Sequence, residues 1–149
     1  MGTHQSRFDV KGRMSIPAPF RTVLRASAGD GSAAVVLRPS HTHPCIEGWP
    51  AATFEALASG VERMDLFSAD QDDLTMALYA DAWPVEADKE GRITVPDSLV
   101  QHAGLTSAVV FMGLGRLFQI WEPEAGLKRR AEARQGAVSR SLTLPATRP

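Results

Sequence analysis

The amino-acid sequence predicts an α+β fold built from two pseudo-symmetric halves. Three observations carry that prediction: an internal repeat, a short alternating strand in each copy of it, and a helical period after each strand-terminating proline. The segment Asp9-Val-Lys-Gly-Arg-Met-Ser-Ile-Pro17 returns as Asp88-Lys-Glu-Gly-Arg-Ile-Thr-Val-Pro96, and Phe20 and Leu99 keep the same offset of 79 positions. Asp, Gly, Arg and Pro recur in place, with a hydroxyl between two apolar side chains, so one supersecondary unit is used twice.

In each copy Asp-x-x-Gly reads as a tight turn with a bulge, because Gly12 and Gly91 can adopt positive φ. Arg-Met-Ser-Ile and Arg-Ile-Thr-Val then alternate as a short strand. Pro17 and Pro96 end these strands and open short amphipathic helices. Phe20, Val23 and Leu24 are expected to face inward in the first helix. Leu99, Val100 and Ala103 do so in the second, with Gly104 as its stop.

An apolar pair of strands follows each helix, over 33–38 and 45–49 in the first copy and over 108–113 and 117–121 in the second. The second pair turns at Leu114-Gly-Arg116, and both pairs end in Trp with Pro close behind, at Trp49-Pro50 and Trp121-Glu-Pro123. Helices are predicted over 51–64 and 123–135. A further acidic helix over 68–82 has Leu74, Leu78 and Tyr79 at helical spacing and bridges the copies. Beyond Gln135 periodicity stops, which reads as a mobile tail. The expected organisation is a first module over 1–66, the bridging helix within 67–82, a second module over 83–135 and a tail over 136–149.

The composition agrees with a folded chain, with 44% hydrophobic residues among 149. No apolar run approaches a membrane span, and the N-terminus lacks the layout of a signal peptide. A single cysteine, Cys45, excludes an intramolecular disulfide framework, and cytoplasmic residence is the expectation. The formal net charge of −1 conceals a strong asymmetry. Residues 1–25 carry five basic side chains against Asp9 alone, a net +4, whereas residues 47–90 carry eleven acidic against two basic, a net −9. A basic face on an acidic body can bind phosphate whatever the overall sign.

The paired Asp-x-x-Gly-Arg loops are the features most able to carry chemistry. An arginine after a turn glycine is expected at a hairpin tip, where backbone approaches a phosphate or a groove edge closely. Its guanidinium forks onto phosphate or onto the guanine edge in the major groove. Asp9 and Asp88 are placed to hold Arg13 and Arg92 extended, Lys11 adds a phosphate contact, and Arg7 flanks it. A lone copy would read as a plain bulged turn with a solvated arginine. Retention of Asp, Gly and Arg in both copies favours the binding role.

Other constellations carry less. His41-Thr-His43-Pro-Cys45 alternates metal-ligating types, but nothing nearby in sequence completes a tetrahedron, so it reads as a loop entering a strand with Cys45 packed inward. The sequence holds no P-loop, no Gly-x-Ser-x-Gly and no His-Glu-x-x-His. Gly113-Leu-Gly115 is a hairpin turn, and Asp70, Asp72 and Asp73 suit a helix start better than an EF-hand. No enzymatic activity, cofactor, metal or small-molecule substrate is expected.

The loop Asp9–Arg13 with Pro17, Phe20 and Arg21, together with its echo at 88–96, resembles the MraZ family, which is related to the AbrB-like swapped-hairpin regulators. The resemblance extends to His43-Pro-Cys-Ile-Glu-Gly-Trp-Pro50, to Gln101-His-Ala-Gly-Leu105 and to Phe118-x-x-Trp121, and so covers nearly all of 1–135. It implies two tandem swapped-hairpin modules that mimic one AbrB-like dimer, as small β-barrel-like halves with flanking helices. It further implies a ring-shaped homo-oligomer that binds repeated short G-containing boxes in double-stranded promoter DNA, upstream of the division and cell-wall gene cluster. Repression and association with the nucleoid follow as expectations. The resemblance places the family's conserved Asp and Arg on Asp9 and Arg13 and on Asp88 and Arg92, and its loop Lys on Lys11; Arg7, Gly12, Lys89 and Gly91, from the residues themselves, complete the expected DNA-binding set. Glu90 stands where the first loop has Lys11, so the first copy is expected to dominate. Several +4 faces on a ring would gain avidity and bind with steep salt dependence. The competing class is an antitoxin-like interaction module, with the Lys128-Arg-Arg130 helix and the tail as its partner-binding arm.

Overall fold

Strict alternation sets the shortest strands. Met14, Ile16, Ile93 and Val95 are almost fully buried, while Ser15 and Thr94 between them are exposed. In the computed structural model, which describes residues 2–28 and 34–146, these segments form β2 (Arg13–Ser15) and β6 (Arg92–Thr94). The two strands pair antiparallel as a separate two-stranded ribbon with Met14 opposite Ile93.

The longer apolar runs build a six-stranded antiparallel sheet. Its members are β1 (Thr3–Arg7), β3 (Ala34–Pro39), β4 (Ile46–Pro50), β5 (Trp83–Glu86), β7 (Ala108–Gly113) and β8 (Phe118–Trp121). The order is β1-β7-β8-β4-β3-β5. Exchanging the halves, β1 for β5, β3 for β7 and β4 for β8, gives the same order read backwards. The first half's outer strand pairs with the second half's inner one, His4 opposite Phe111, and the second half returns the pairing, Val85 opposite Val35. The halves meet at the centre through β4 and β8, Ile46 opposite Ile120.

This interleaving corrects one expectation. The Asp9–Gly12 turn closes only a minimal hairpin, because β1 and β2 belong to different sheets: the Phe8–Met14 bridge, the Asp9 N–H bond to the Arg13 carbonyl and the Ser6 hydroxyl bond to the Ser15 carbonyl join them. Arg13 therefore stands both after that turn and at the start of a ribbon strand whose main partner is β6. The pairing partner lies about eighty residues away in sequence, where local pattern carries no information on register.

The main core lies between the ribbon and one face of the large sheet, where Met14, Ile16, Ile93 and Val95 meet Leu37, Phe111 and Ile120. Helices α1 (Ala18–Ala28) and α4 (Asp97–Ala103) seal it. Phe20 and Leu24, one turn apart, are buried in α1, but Val23 is 40% exposed, contrary to expectation, since it lies about 100° from Leu24 around the helix, at the edge of that stripe. In α4, Leu99 and Ala103 are buried, Val100 packs at the margin, and Gly104 closes the helix at φ +63°. The opposite face of the sheet buries Cys45, Val110, Met112 and Trp121 beneath Ala125 at the start of α5 (Pro123–Ser139).

Three helix bounds differ from expectation. The segment after Pro50 is α2 (Ala51–Ser59) followed by a 3-10 turn, Gly60–Arg63, with Val61 buried. The acidic helix is shorter than 68–82: α3 (Ala69–Tyr79) starts where Ser68 Oγ accepts the Gln71 N–H, and it leaves Tyr79 47% exposed. Helix α5, its N-terminus capped by the Glu122 carboxylate, runs past residue 135. Position 33 of the expected first apolar strand and positions 147–149 of the expected tail lie outside the described residues. No described helix is long and apolar enough to cross a membrane.

The central seam depends on one missing side chain. A Cβ built at Gly48 falls 2.2–2.7 Å from ring atoms of Phe118, the residue opposite it in register. Gly48→Ala is expected to destabilise the fold by about 1–3 kcal/mol through overpacking. Phe118→Leu in the same chain should recover part of that loss, as read by denaturant titration. Equal stability of Gly48→Ala and wild type would contradict this account of the seam.

Candidate nucleic-acid interface

Each Asp-x-x-Gly-Arg segment folds by the same set of bonds. The Asp9 N–H donates to the Arg13 carbonyl at 3.0 Å, and the Gly12 N–H donates to the Asp9 carbonyl at 3.1 Å. Asp9 Oδ1 accepts the N–H groups of Lys11 and Arg13, both at 2.9 Å, and its Oδ2 accepts Arg13 Nε at 2.9 Å. Asp88 repeats this with the N–H groups of Glu90 and Arg92 and with Arg92 Nε at 3.0 Å. Gly12 and Gly91 close the turns at φ +78° and +79°, a region that side chains with a Cβ rarely adopt. Each turn also rests on the other half: the Val95 N–H donates to the Gly12 carbonyl at 2.8 Å, and the Ile16 N–H to the Gly91 carbonyl at 2.9 Å.

The arrangement has a chemical consequence. The carboxylate takes the inner nitrogen of the guanidinium and leaves the terminal pair of Arg13 without a partner among the described residues. A guanidinium fixed in this way loses little rotamer freedom when its fork closes on phosphate or on a guanine edge. Arg13 and Ser15 share the outer face of the ribbon with Arg92 and Thr94, with Ser15 opposite Arg92. Arg7, Asp9, Arg13 and Arg92 line a single open groove of about 560 Å³ beside Ser15 and Ser107. A two-stranded ribbon with core behind it and arginines in front has the width that the major groove admits.

The copies are not equal. Arg92 Nη2 lies 2.6 Å from Glu90 Oε2, so the second guanidinium is held at both ends by carboxylates. The Asp88 side-chain bond first, and then the Asp88 and Glu90 charges, raise its pKa above the usual arginine value. Lys11 holds the place of Glu90 in the first loop and is exposed there.

Both loop carboxyls titrate below the ordinary aspartate value of 3.8. The largest cause is the backbone N–H of Arg13 or Arg92, which outweighs the opposing effect of desolvation, and the guanidinium bond adds to it. A lowered carboxyl stabilises the fold above its unfolded pKa and loses that contribution as pH falls through the folded value. The loops should therefore keep their bonds throughout the neutral range and loosen only below about pH 3.8. Carboxyl chemical shifts of Asp9 and Asp88 followed against pH would check this, and midpoints above 3.8 would contradict it.

The structure thus brings four of the sequence-predicted residues, Arg7, Asp9, Arg13 and Arg92, into one groove. Lys11, Gly12, Asp88, Lys89 and Gly91 lie in the flanking loops, with Lys11 and Lys89 exposed. Sequence reasoning missed Arg21 as a support: its Nη1 donates to the Glu90 carbonyl at 3.1 Å, and its guanidinium occupies the space a Cβ at Gly91 would need. It also missed Ser107 in the groove wall, for which the sequence carries no signal.

The histidine-cysteine segment forms no such site. Cys45 is fully buried, and burial first, then the Glu47 charge, pushes its thiol up to about 12. The His43 ring lies 5.9 Å from that of Trp121, and His102 Nε2 is 3.3 Å from the His43 carbonyl. Among the described residues no three His, Cys, Asp or Glu side chains converge as metal ligands.

Comparison with known proteins converges on one family. The family model for the MraZ protein, described as putative antitoxin-like, matches residues 1–76 and 78–126. The chain is 62% identical to the transcriptional regulator MraZ of Gluconacetobacter diazotrophicus, over 98% of this chain and 91% of that one. It is 56% identical to the protein of the same name from Gluconobacter oxydans, over 99% and 88%. A third, from Xanthobacter autotrophicus, is 38% identical over 91% and 84%.

Proposed function

Because the chain belongs to the MraZ family, we propose that it is a transcription regulator whose β2–β6 ribbon binds double-stranded promoter DNA. Arg13 reads guanine edges or grips phosphate, Asp9 holds it extended, and Arg7 and Lys11 add phosphate contacts. Arg92 serves the same role more weakly from the second copy, beside Lys89, with Asp88 in the place of Asp9. Gly12 and Gly91, both buried, supply the positive φ that closes the turns presenting these arginines. The two halves act as tandem swapped-hairpin modules, and several chains form a ring that engages repeated short boxes together. The regulated genes are those of division and the cell wall, the action is repression, and the site of action is the nucleoid in the cytoplasm.

The observation that carries this reading is the pair of carboxylate-held arginines on one face of a ribbon whose other face is core. The relatives named as transcriptional regulators support it. Guanine N7 lies in the major groove, so methylation protection on the DNA upstream of the chain's own gene tests the reading directly. Evenly spaced clusters of protected guanines are expected. Binding without any guanine protection would remove the ribbon from the major groove.

A further inference from the structure

Helix α5 is anchored only at its start. Gly126 is buried against Trp121 and Met112, yet from Leu127 onward the side chains are exposed or half-buried along the remaining length of the helix. A helix without an apolar face toward its own core needs a partner or many internal pairs to stay formed. Its residues 123–140 carry five basic side chains against two glutamates, a net +3. None of these charges forms an ion pair among the described residues. Arg130 and Arg134 lie one turn apart on the same stripe as Leu127 and Val138, which are 38% and 79% exposed.

The same chain carries the complement. Residues 62–81 hold six acidic side chains against Arg63, a net −5. In α3, Leu74 and Leu78 turn inward, while Asp72, Asp73 and Met76 form the outward stripe, Met76 being 63% exposed. Just before the helix, Leu66 and Phe67 are 71% and 90% exposed, and Phe67 is held at φ +64°, a strained conformation for an aromatic residue. An acidic stripe centred on methionine and a basic stripe flanked by leucine and valine thus both stand without a partner among the described residues.

We propose that α3 of one copy docks on α5 of the next, so that the chains assemble head to tail. Asp72 and Asp73 face Arg130 and Arg134, and Met76 meets the apolar ends of the basic stripe. Such a heterologous contact leaves one free patch at each end and generates a ring when the rotation closes. This inference rests on the self-assembly proposed above and assigns the surfaces that produce it.

Charge reversal tests it. Variant one carries Asp72→Lys and Asp73→Lys, and variant two carries Arg130→Glu and Arg134→Glu. Each is checked for folding by circular dichroism and then sized by light scattering at near-physiological salt. Each alone should fall well below the wild-type assembly, because both of its patches then have the same sign. An equimolar mixture should regain the wild-type size, since every contact is again between opposite charges. Wild type that stays monomeric at all concentrations would sink the self-assembly reading and this one with it. Variants that keep the wild-type size would place the interface elsewhere, and variants that dissociate without rescue on mixing would rule out α3 on α5. If variant two keeps its size but loses DNA binding, α5 is a nucleic-acid element and the proposal is wrong.

Discussion

Glu47→Ala is expected to lower the unfolding free energy by about 3–5 kcal/mol, because it strands a buried guanidinium. The Arg38 and Glu47 side chains are 2% and 12% exposed, and Arg38 Nη1 meets Glu47 Oε1 at 2.6 Å. The same carboxylate oxygen accepts Trp49 Nε1 at 3.0 Å, and Arg38 Nη2 donates to the Ala77 carbonyl of α3 at 2.9 Å. Arg38 Nε already lacks a partner among the described residues, so this charge sits close to the limit of what its surroundings compensate. Removing the carboxylate loses the opposite charge that Arg38 pairs with and loosens the hold on α3. Replacing both residues, Arg38→Met with Glu47→Leu, should restore most of the stability, since a buried pair contributes little beyond an apolar equivalent. A denaturant titration placing Glu47→Ala within about 1 kcal/mol of wild type would show that water reaches the pair.

The second large effect falls on DNA. Arg13→Ala should weaken promoter binding ~5- to 150-fold per engaged subunit, the value of a bidentate guanine contact of ~1–3 kcal/mol. Arg92→Ala should cost less, because the Glu90 carboxylate at 2.6 Å already occupies one end of that guanidinium. Glu90→Lys, which gives the second loop the charge of the first, should raise affinity and steepen the salt dependence by about 0.9 in the log–log slope for each further phosphate neutralised. The order Arg13→Ala, then Arg92→Ala, then wild type, then Glu90→Lys, from weakest to tightest, follows from the loop geometry. Equal losses at Arg13 and Arg92 would mean that Glu90 releases its arginine on binding.

Much of the fold was legible because the repeat announces itself in residues with fixed backbone roles. Gly12, Gly91 and Gly104 take positive φ, and the segments after Pro17, Pro50, Pro96 and Pro123 are helical. The strands on either side of Leu114-Gly-Arg116 were legible from local apolar runs. Strands β1 and β5 were not expected at all. Thr-His-Gln-Ser-Arg and Trp-Pro-Val-Glu carry little hydrophobic pattern, and they become strands by adding to sheet edges that the other half supplies. Arg38 is the last position of the strand predicted over 33–38, and only the fold brings Glu47 and Ala77 to it.

The candidate site was legible to a similar depth. Asp9 and Asp88 hold their arginines as the spacing implied, because an Asp-x-x-Gly turn returns the chain to its own carboxylate within four residues. The convergence of Arg7, Arg13 and Arg92 on one groove was not legible, since it depends on the long-range pairing of β2 with β6. Nor was the part played by Arg21, whose reach to Glu90 spans 69 positions.

The proposed contact with DNA centres on the carboxylate-held Arg13. The most direct measurement is a salt series of binding to duplex from upstream of the chain's own gene, with wild type and Arg13→Ala side by side. Tight binding by wild type that weakens steeply with salt, together with loss of most affinity in the variant, is the predicted result. Arg13→Ala that binds as tightly as wild type at near-physiological salt would contradict it, and the ribbon would then be an element of the fold alone.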